Sequence, residues 1–121
     1  MGKKKMDLIK INTEIDNFVN DRNWNQFHSV KNLTMALSVE SSELLEIFQW
    51  MTEEQSEQAK EDPILKSKVE DELADIFVYL LRIVSKTNVN LEEAVLNKIK
   101  KNALKYPVEK ARGNSKKYDE L

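Results

Sequence analysis

The chain has no cysteine, only two glycines and two prolines, and one histidine in 121 residues. Without cysteine there is no disulfide framework and no thiolate metal site, and His28 stands alone as an imidazole. Scarce glycine and proline remove the breakers that punctuate β-rich folds, and no long alternating strand pattern appears. No apolar run approaches the roughly 18–20 residues of a membrane span. The N-terminal MGKKKMDLIK lacks the apolar stretch of a secretory leader, and Met6 stands where a myristoylation signal after Gly2 requires Ser or Thr. The expected location is the cytoplasm, with no membrane partner.

What is present is helix-forming. Hydrophobic residues make up 40% and charged residues 33%, enough for one small core. One domain over residues 1–121 is expected, with a helical core over about 6–106 and a basic tail over 107–121. Net charge is −2 but unevenly spread. Twelve acids and three lysines lie between Glu40 and Asp75, and eight basic residues and one acid between Lys98 and Lys117. Such asymmetry is ordinarily a matter of solvated faces. It also suits an acidic site that gathers cations and a basic segment that gathers phosphates. Non-specific nucleic-acid binding fits poorly, because the acidic half would repel the backbone.

Apolar periodicity predicts four long helices. The first covers about Met6–Arg22, with Leu8, Ile11, Ile15 and Phe18 as its apolar face. The second covers about Val30–Trp50. Thr52 and Gln55 form a capping-box pattern for a short turn. Asp62-Pro63 opens a third helix reaching about Lys86, with Asp as cap and Pro in the first position. Asn90 and Glu93 open a fourth, which Pro107 stops near Lys105. Long helices joined by short turns predict an all-α, four-helix-bundle-like fold.

Two of these helices break their own pattern. The stripe Leu33, Leu37, Leu44, Ile47 is completed by Glu40, with Glu43 three residues on. The stripe Leu65, Val69, Ile76, Tyr79, Ile83 is completed by Glu72, with Asp75 three residues on. Residues three apart share a helix face, so four carboxylates converge if the two helices pack together. Unpaired, they would repel one another and take up protons. Oxygen ligands without His or Cys suit Mg²⁺, or Mn²⁺ in its place, and a phosphorylated ligand is its natural companion. One such acid pair alone is ordinarily a solvated face, and buried ion pairs with lysine are the bland alternative for two. Few lysines fall on the stripes.

Glu40-Ser-Ser-Glu43, 28 intervening residues and Glu72-Leu-Ala-Asp75 resemble the signature of the MazG-like, all-α nucleoside triphosphate pyrophosphohydrolases. The stretch RNWNQFHSVKNLTMALSVESSELLEIFQW and the C-terminal NLEEAVLNKIKKNALKYPVEKARGNSKKYDEL are similar to its dCTP pyrophosphatase branch. The resemblance covers nearly everything from Asp21 onward. It implies Mg²⁺-dependent hydrolysis of a nucleoside triphosphate, with dCTP or a related deoxynucleotide expected, to the monophosphate and pyrophosphate, by metal-activated water attack at the α-phosphorus. Glu40, Glu43, Glu72 and Asp75 are implied metal ligands. Trp24, Trp50, Tyr79, Lys98, Asn102 and Tyr106 are implied to lie around the nucleotide. A phosphate-side position that is usually arginine in animal members falls on Lys86, which keeps the charge but not the bidentate fork. The resemblance also implies a homo-oligomer, a dimer or a tetramer of two dimers.

The residues themselves leave several roles open. Glu46 is a candidate to orient the water or enter an outer metal shell, an exposed surface acid being the alternative. His28 is a candidate base or sugar contact, a packed or capping histidine the alternative. Lys98, Asn102 and Tyr106, four apart, align an ammonium, an amide and a phenol on one ridge; a solvated face with Tyr as packing anchor is the ordinary explanation. Trp24 and Trp50 are stacking walls or core plugs. Lys110, Arg112, Lys116 and Lys117 close over phosphates or form an unstructured tail. A second apolar stripe on the third helix, Phe77, Leu80, Leu81 and Val84, calls for a partner and so for self-association. Two rival functions stand: a non-catalytic helical interaction module with a structural cation, and another hydrolase of the superfamily acting on dUTP or phosphoribosyl-ATP.

Overall fold

Each long helix begins on a side-chain cap; those at Asp62 and Asn90 are where the sequence puts them, while Asp7 and Ser29 emerge from the structure. The computed structural model describes residues 4–121; Gly2, considered above for acylation, lies outside them. Asp7 accepts from the Lys10 N–H at 3.0 Å and opens α1, Leu8–Asp21. Met6 therefore falls before the helix. Ser29 accepts from the Asn32 N–H at 3.1 Å and opens α2, Val30–Phe48. Thr52 and Gln55 form the reciprocal capping box, at 3.1 and 3.0 Å, that starts the five-residue α3, Glu53–Glu57. Asp62 accepts from the Ile64 and Leu65 N–H groups ahead of α4, Pro63–Thr87. Asn90 accepts from the Glu93 N–H at 3.0 Å and opens α5, Leu91–Lys105. Each such cap contributes about 1 kcal/mol. Among the described residues there is no strand, and no helix is long and apolar enough to cross a membrane.

The chain divides after Thr87 into two compact units. In the first, α2 packs on α4 in the main helix–helix contact. Leu33 on α2 is 1% exposed, which is worth about 1.5–3 kcal/mol as burial alone. A second core joins Ile15 and Val19 of α1 to Leu81 of α4, with Ile11, Phe77 and Val78 packed against them.

This corrects two expectations. The inner face of α1 runs Ile11–Ile15–Val19, while Leu8 and Phe18 stay exposed. Phe18 instead carries the Arg22 guanidinium 3.8 Å above its ring and meets Trp24 edge-on. The second stripe of α4 is also not left bare, because Phe77 and Leu81 pack on α1 within the same chain.

The second unit, Asn88–Leu121, holds α5 and the four-residue α6, Val108–Ala111. The basic tail, for which an unstructured form was one of two expectations, contains α6 and a 3₁₀ turn at Tyr118–Glu120. Tyr118 meets Tyr106 edge-on at 6.3 Å and sits 4.9 Å from the Lys105 ammonium. An aromatic pair and a cation–π contact hold it there, and neither leaves a periodic trace in sequence.

Candidate active site

Packing α2 on α4 brings the interrupted stripes together. Carboxylate oxygens of Glu40, Glu43 and Glu72 all lie within 4.8 Å of one another. Asp75, one turn along α4, is exposed at the edge of the group, and its charge acts on both Glu40 and Glu72. Oε2 of Glu40 and Oε2 of Glu72 are buried without a hydrogen-bond partner. Burial first, then the neighbouring Glu43 carboxyl and the charge of Asp75, raise the Glu40 carboxyl to about 7. Glu72 is raised as well, by burial and then by Glu43. Orphaned acid oxygens that hold protons against one another's charge form a donor set a divalent cation would satisfy.

Two clefts flank this group. The first, about 630 Å³, lies between α1, the loop after it and α4, and is lined by Phe18, Trp24, His28, Asp75 and Tyr79 among others. A left-handed Asn23, at φ 53°, ends α1, so the Trp24 N–H reaches back to the Val19 carbonyl at 3.0 Å and the Asn23 N–H to the Asn20 carbonyl at 3.1 Å. This C-cap, with its apolar contact between the rings of Trp24 and Phe18 at 5.5 Å, sets the indole at the cleft. The His28 ring is 6.4 Å from that of Trp24. Its Nδ1 is buried and unpartnered. Burial, then the charges of Arg82 and Lys86, hold His28 below its ordinary pKa, so it is neutral at pH 7. Burial and the charges of Glu40 and Asp75 raise the Tyr79 phenol, which therefore keeps its proton as a donor.

The second cleft, about 570 Å³, is lined by Glu43, Glu46, Lys68, Asp71 and Glu72 with Ile47, Met51 and Leu65. Glu46 thus stands beside two of the clustered acids. Trp50, 89% exposed, lines neither cleft. Lys86 is exposed on α4. Lys98, Asn102 and Tyr106 are exposed on α5 in the second unit, where the Tyr106 N–H caps the helix on the Asn102 carbonyl at 2.9 Å.

Lys68 and Arg82 escaped the reading of the stripes. Lys68 lies four residues before Glu72, a spacing that puts both on one face. Arg82 interrupts the apolar run FVYLLRIV and is 6% exposed. A lone cation within an apolar run was the available signal.

The profile of the MazG-like family matches residues 35–121. The chain is 36% identical over 115 residues to dCTP pyrophosphatase 1 of Bos taurus and to that of Homo sapiens, covering 95% of this chain. It spans 66% of the length of these curated relatives. A solved pyrophosphatase from Archaeoglobus fulgidus is 35% identical and superposes with a TM-score of 0.75, over 88% of this chain and 98% of that one. The matched residues take in both acid pairs, α2 from Met35 onward and everything C-terminal to it, and the chain belongs to the MazG-like family.

Proposed function

We propose that the chain is a Mg²⁺-dependent nucleoside triphosphate pyrophosphohydrolase acting on dCTP or a related deoxynucleotide, and that it clears excess or non-standard triphosphates. The observation that carries this reading is the group of Glu40, Glu43 and Glu72, with two buried acid oxygens left unpartnered. Relatives named dCTP pyrophosphatase 1 support the reaction and the base.

Glu40, Glu43, Glu72 and Asp75 would hold Mg²⁺, or Mn²⁺ in its place. When bound, the divalent ion supplies charge neutralisation on the phosphates and lowers the pKa of an attacking water. Glu46, at the second cleft beside Glu43 and Glu72, orients that water. Trp24 offers a flat apolar face for a base in the first cleft. Neutral His28 and protonated Tyr79 offer hydrogen bonds to its edge or to the sugar. Lys86 offsets phosphate charge. Trp50, Lys98, Asn102 and Tyr106 are included as substrate contacts on their chemistry alone. Catalysis of this kind is mostly positioning and electrostatics, and no side-chain nucleophile is required.

The proposed working form is a homo-oligomer, a dimer or a pair of dimers. Met35, Val39 and Leu45 on α2 are 56–62% exposed, apolar surface that a second copy would cover.

The test is release of pyrophosphate and monophosphate across dCTP, dUTP and phosphoribosyl-ATP, with and without Mg²⁺. Turnover of dCTP that needs Mg²⁺ and is lost in Glu72→Gln supports the reading. Faster turnover of another substrate moves the base assignment. No turnover of any of them with Mg²⁺ present leaves a helical interaction module instead.

A further inference from the structure

Arg82 is a buried cation that the reaction described above does not use. A guanidinium taken out of water needs partners, and those partners show what it holds. Its Nη2 donates to Oδ1 of Asn25 at 2.7 Å, across 57 residues of sequence. Its Nη1 lies 3.6 Å from Oδ1 of Asp16. Asp16 is 59% exposed, so that ion pair is the weaker tie. The short, charge-assisted bond is the one to Asn25.

Asn25 sits in sequence between Trp24 and His28, two of the aromatic residues that line the first cleft. It follows Trp24 directly and opens the 3₁₀ turn Asn25–Phe27, which delivers His28. The Phe27 N–H donates to the Trp24 carbonyl and the His28 N–H to the Asn25 carbonyl, at 2.9 and 3.1 Å. The Asn25 amide Nδ2 also donates to Oδ1 of Asn20 at 2.6 Å. The turn is tied to α1 by Asn20 and by the Trp24–Val19 backbone bond, and to α2 by Asn32 Nδ2 on the Phe27 carbonyl at 3.0 Å. Arg82 supplies the tie to α4. Asp75, Tyr79 and Arg82 are spaced four and three apart on that helix, so they share a face. One face of α4 thus carries an edge acid of the cluster, a wall of the cleft, and the anchor of the opposite wall.

We propose that Arg82, acting through Asn25, is a positioning residue for the nucleotide: it sets the separation between the Trp24–His28 wall and the acid cluster. This rests on the proposed function for the identity of the ligand, but not for the existence of the clamp. The clamp acts on binding, because it touches the wall and not the acids. Loss of a hydrogen bond to a charged group is expected to raise the KM for dCTP about tenfold or more, with kcat within about twofold.

The experiment compares wild type, Asn25→Ala, Asn25→Asp and Arg82→Ala in two readouts. The first is kcat and KM for dCTP with Mg²⁺. The second is the indole N–H resonance of Trp24 in the free protein, assigned by its loss in Trp24→Phe. Asn25→Ala leaves Arg82 on Asp16, so it keeps the proposal testable if Arg82→Ala fails to fold. The expected result is a raised KM with kcat kept and a shifted or broadened Trp24 signal. Asn25→Asp, which keeps the acceptor and which Asn20 meets by turning its amide, restores both. An unchanged KM in folded Asn25→Ala, or a loss of kcat with KM unchanged, overturns the proposal, as does failure of Asn25→Asp to rescue. If the wild type turns over no dCTP, the proposed function fails alone. The Trp24 signal then decides the clamp, and an unaltered resonance in Asn25→Ala refutes it.

Discussion

Binding of Mg²⁺ should drive a proton off the acid cluster at neutral pH. The perturbation is a change of pH across the Glu40 carboxyl, which burial and its acidic neighbours raise to about 7. A cation bound by these oxygens needs them ionised. With an apparent pKa near 7, the ionised fraction is about 0.1 at pH 6 and about 0.9 at pH 8. The affinity for Mg²⁺ should therefore rise about tenfold over that interval and level off above it. About half a proton should leave per ion bound at pH 7. Calorimetric titrations of MgCl₂ into the protein, in buffers of different ionisation enthalpy, read both quantities. In Glu40→Gln the proton release should fall and the affinity drop with it. An affinity flat between pH 6 and 8, or one changing only near pH 4.5, would refute the reasoning. Stability of the metal-free protein follows the same linkage. The folded pKa lies above the unfolded value of 4.5, so the contribution of this group is fully present below about 4.5. It is lost as pH rises through about 7.

Glu72→Gln should lower dCTP turnover by about 100-fold or more, since even outer partners of metal sites cost 10–100-fold when removed; pyrophosphate release measures it. Trp24→Ala should raise the KM for dCTP by about 5- to 150-fold, the equivalent of roughly 1–3 kcal/mol of base stacking, while the Mg²⁺ midpoint stays in place. Leu33→Ala, at a side chain 1% exposed on the stripe that carries Glu40, should cost about 2–5 kcal/mol of stability, read by urea unfolding.

Glu40 and Glu72 were legible because each replaces an aliphatic residue on a regular stripe, and a half-buried acid on an otherwise apolar face demands an explanation. Three helix starts were legible for a similarly local reason: Thr52, Asp62 and Asn90 each cap by bonding within three residues, as do Asp7 and Ser29, which the apolar periodicity alone did not single out. What stayed hidden was decided across distance. Phe18 and Val19 are both apolar and adjacent; Val19 packs with Ile15 and Leu81, while Phe18 stays exposed against Trp24 and Arg22. The Arg82–Asn25 bond joins two polar residues 57 apart with no pattern linking them. The aromatic pairing of Tyr106 with Tyr118 orders a stretch that composition alone marks as a solvated basic tail.

In the proposed enzyme, carboxylates from α2 and α4 share divalent ions that grip a triphosphate. Anomalous diffraction from crystals grown with Mn²⁺ and a non-hydrolysable dCTP analogue tests it most directly. The expected result is Mn²⁺ among Glu40, Glu43 and Glu72, with oxygens at roughly 2.0–2.2 Å as for a six-coordinate divalent ion and analogue phosphates on its open side. Manganese elsewhere, or an analogue bound away from these acids, would contradict it.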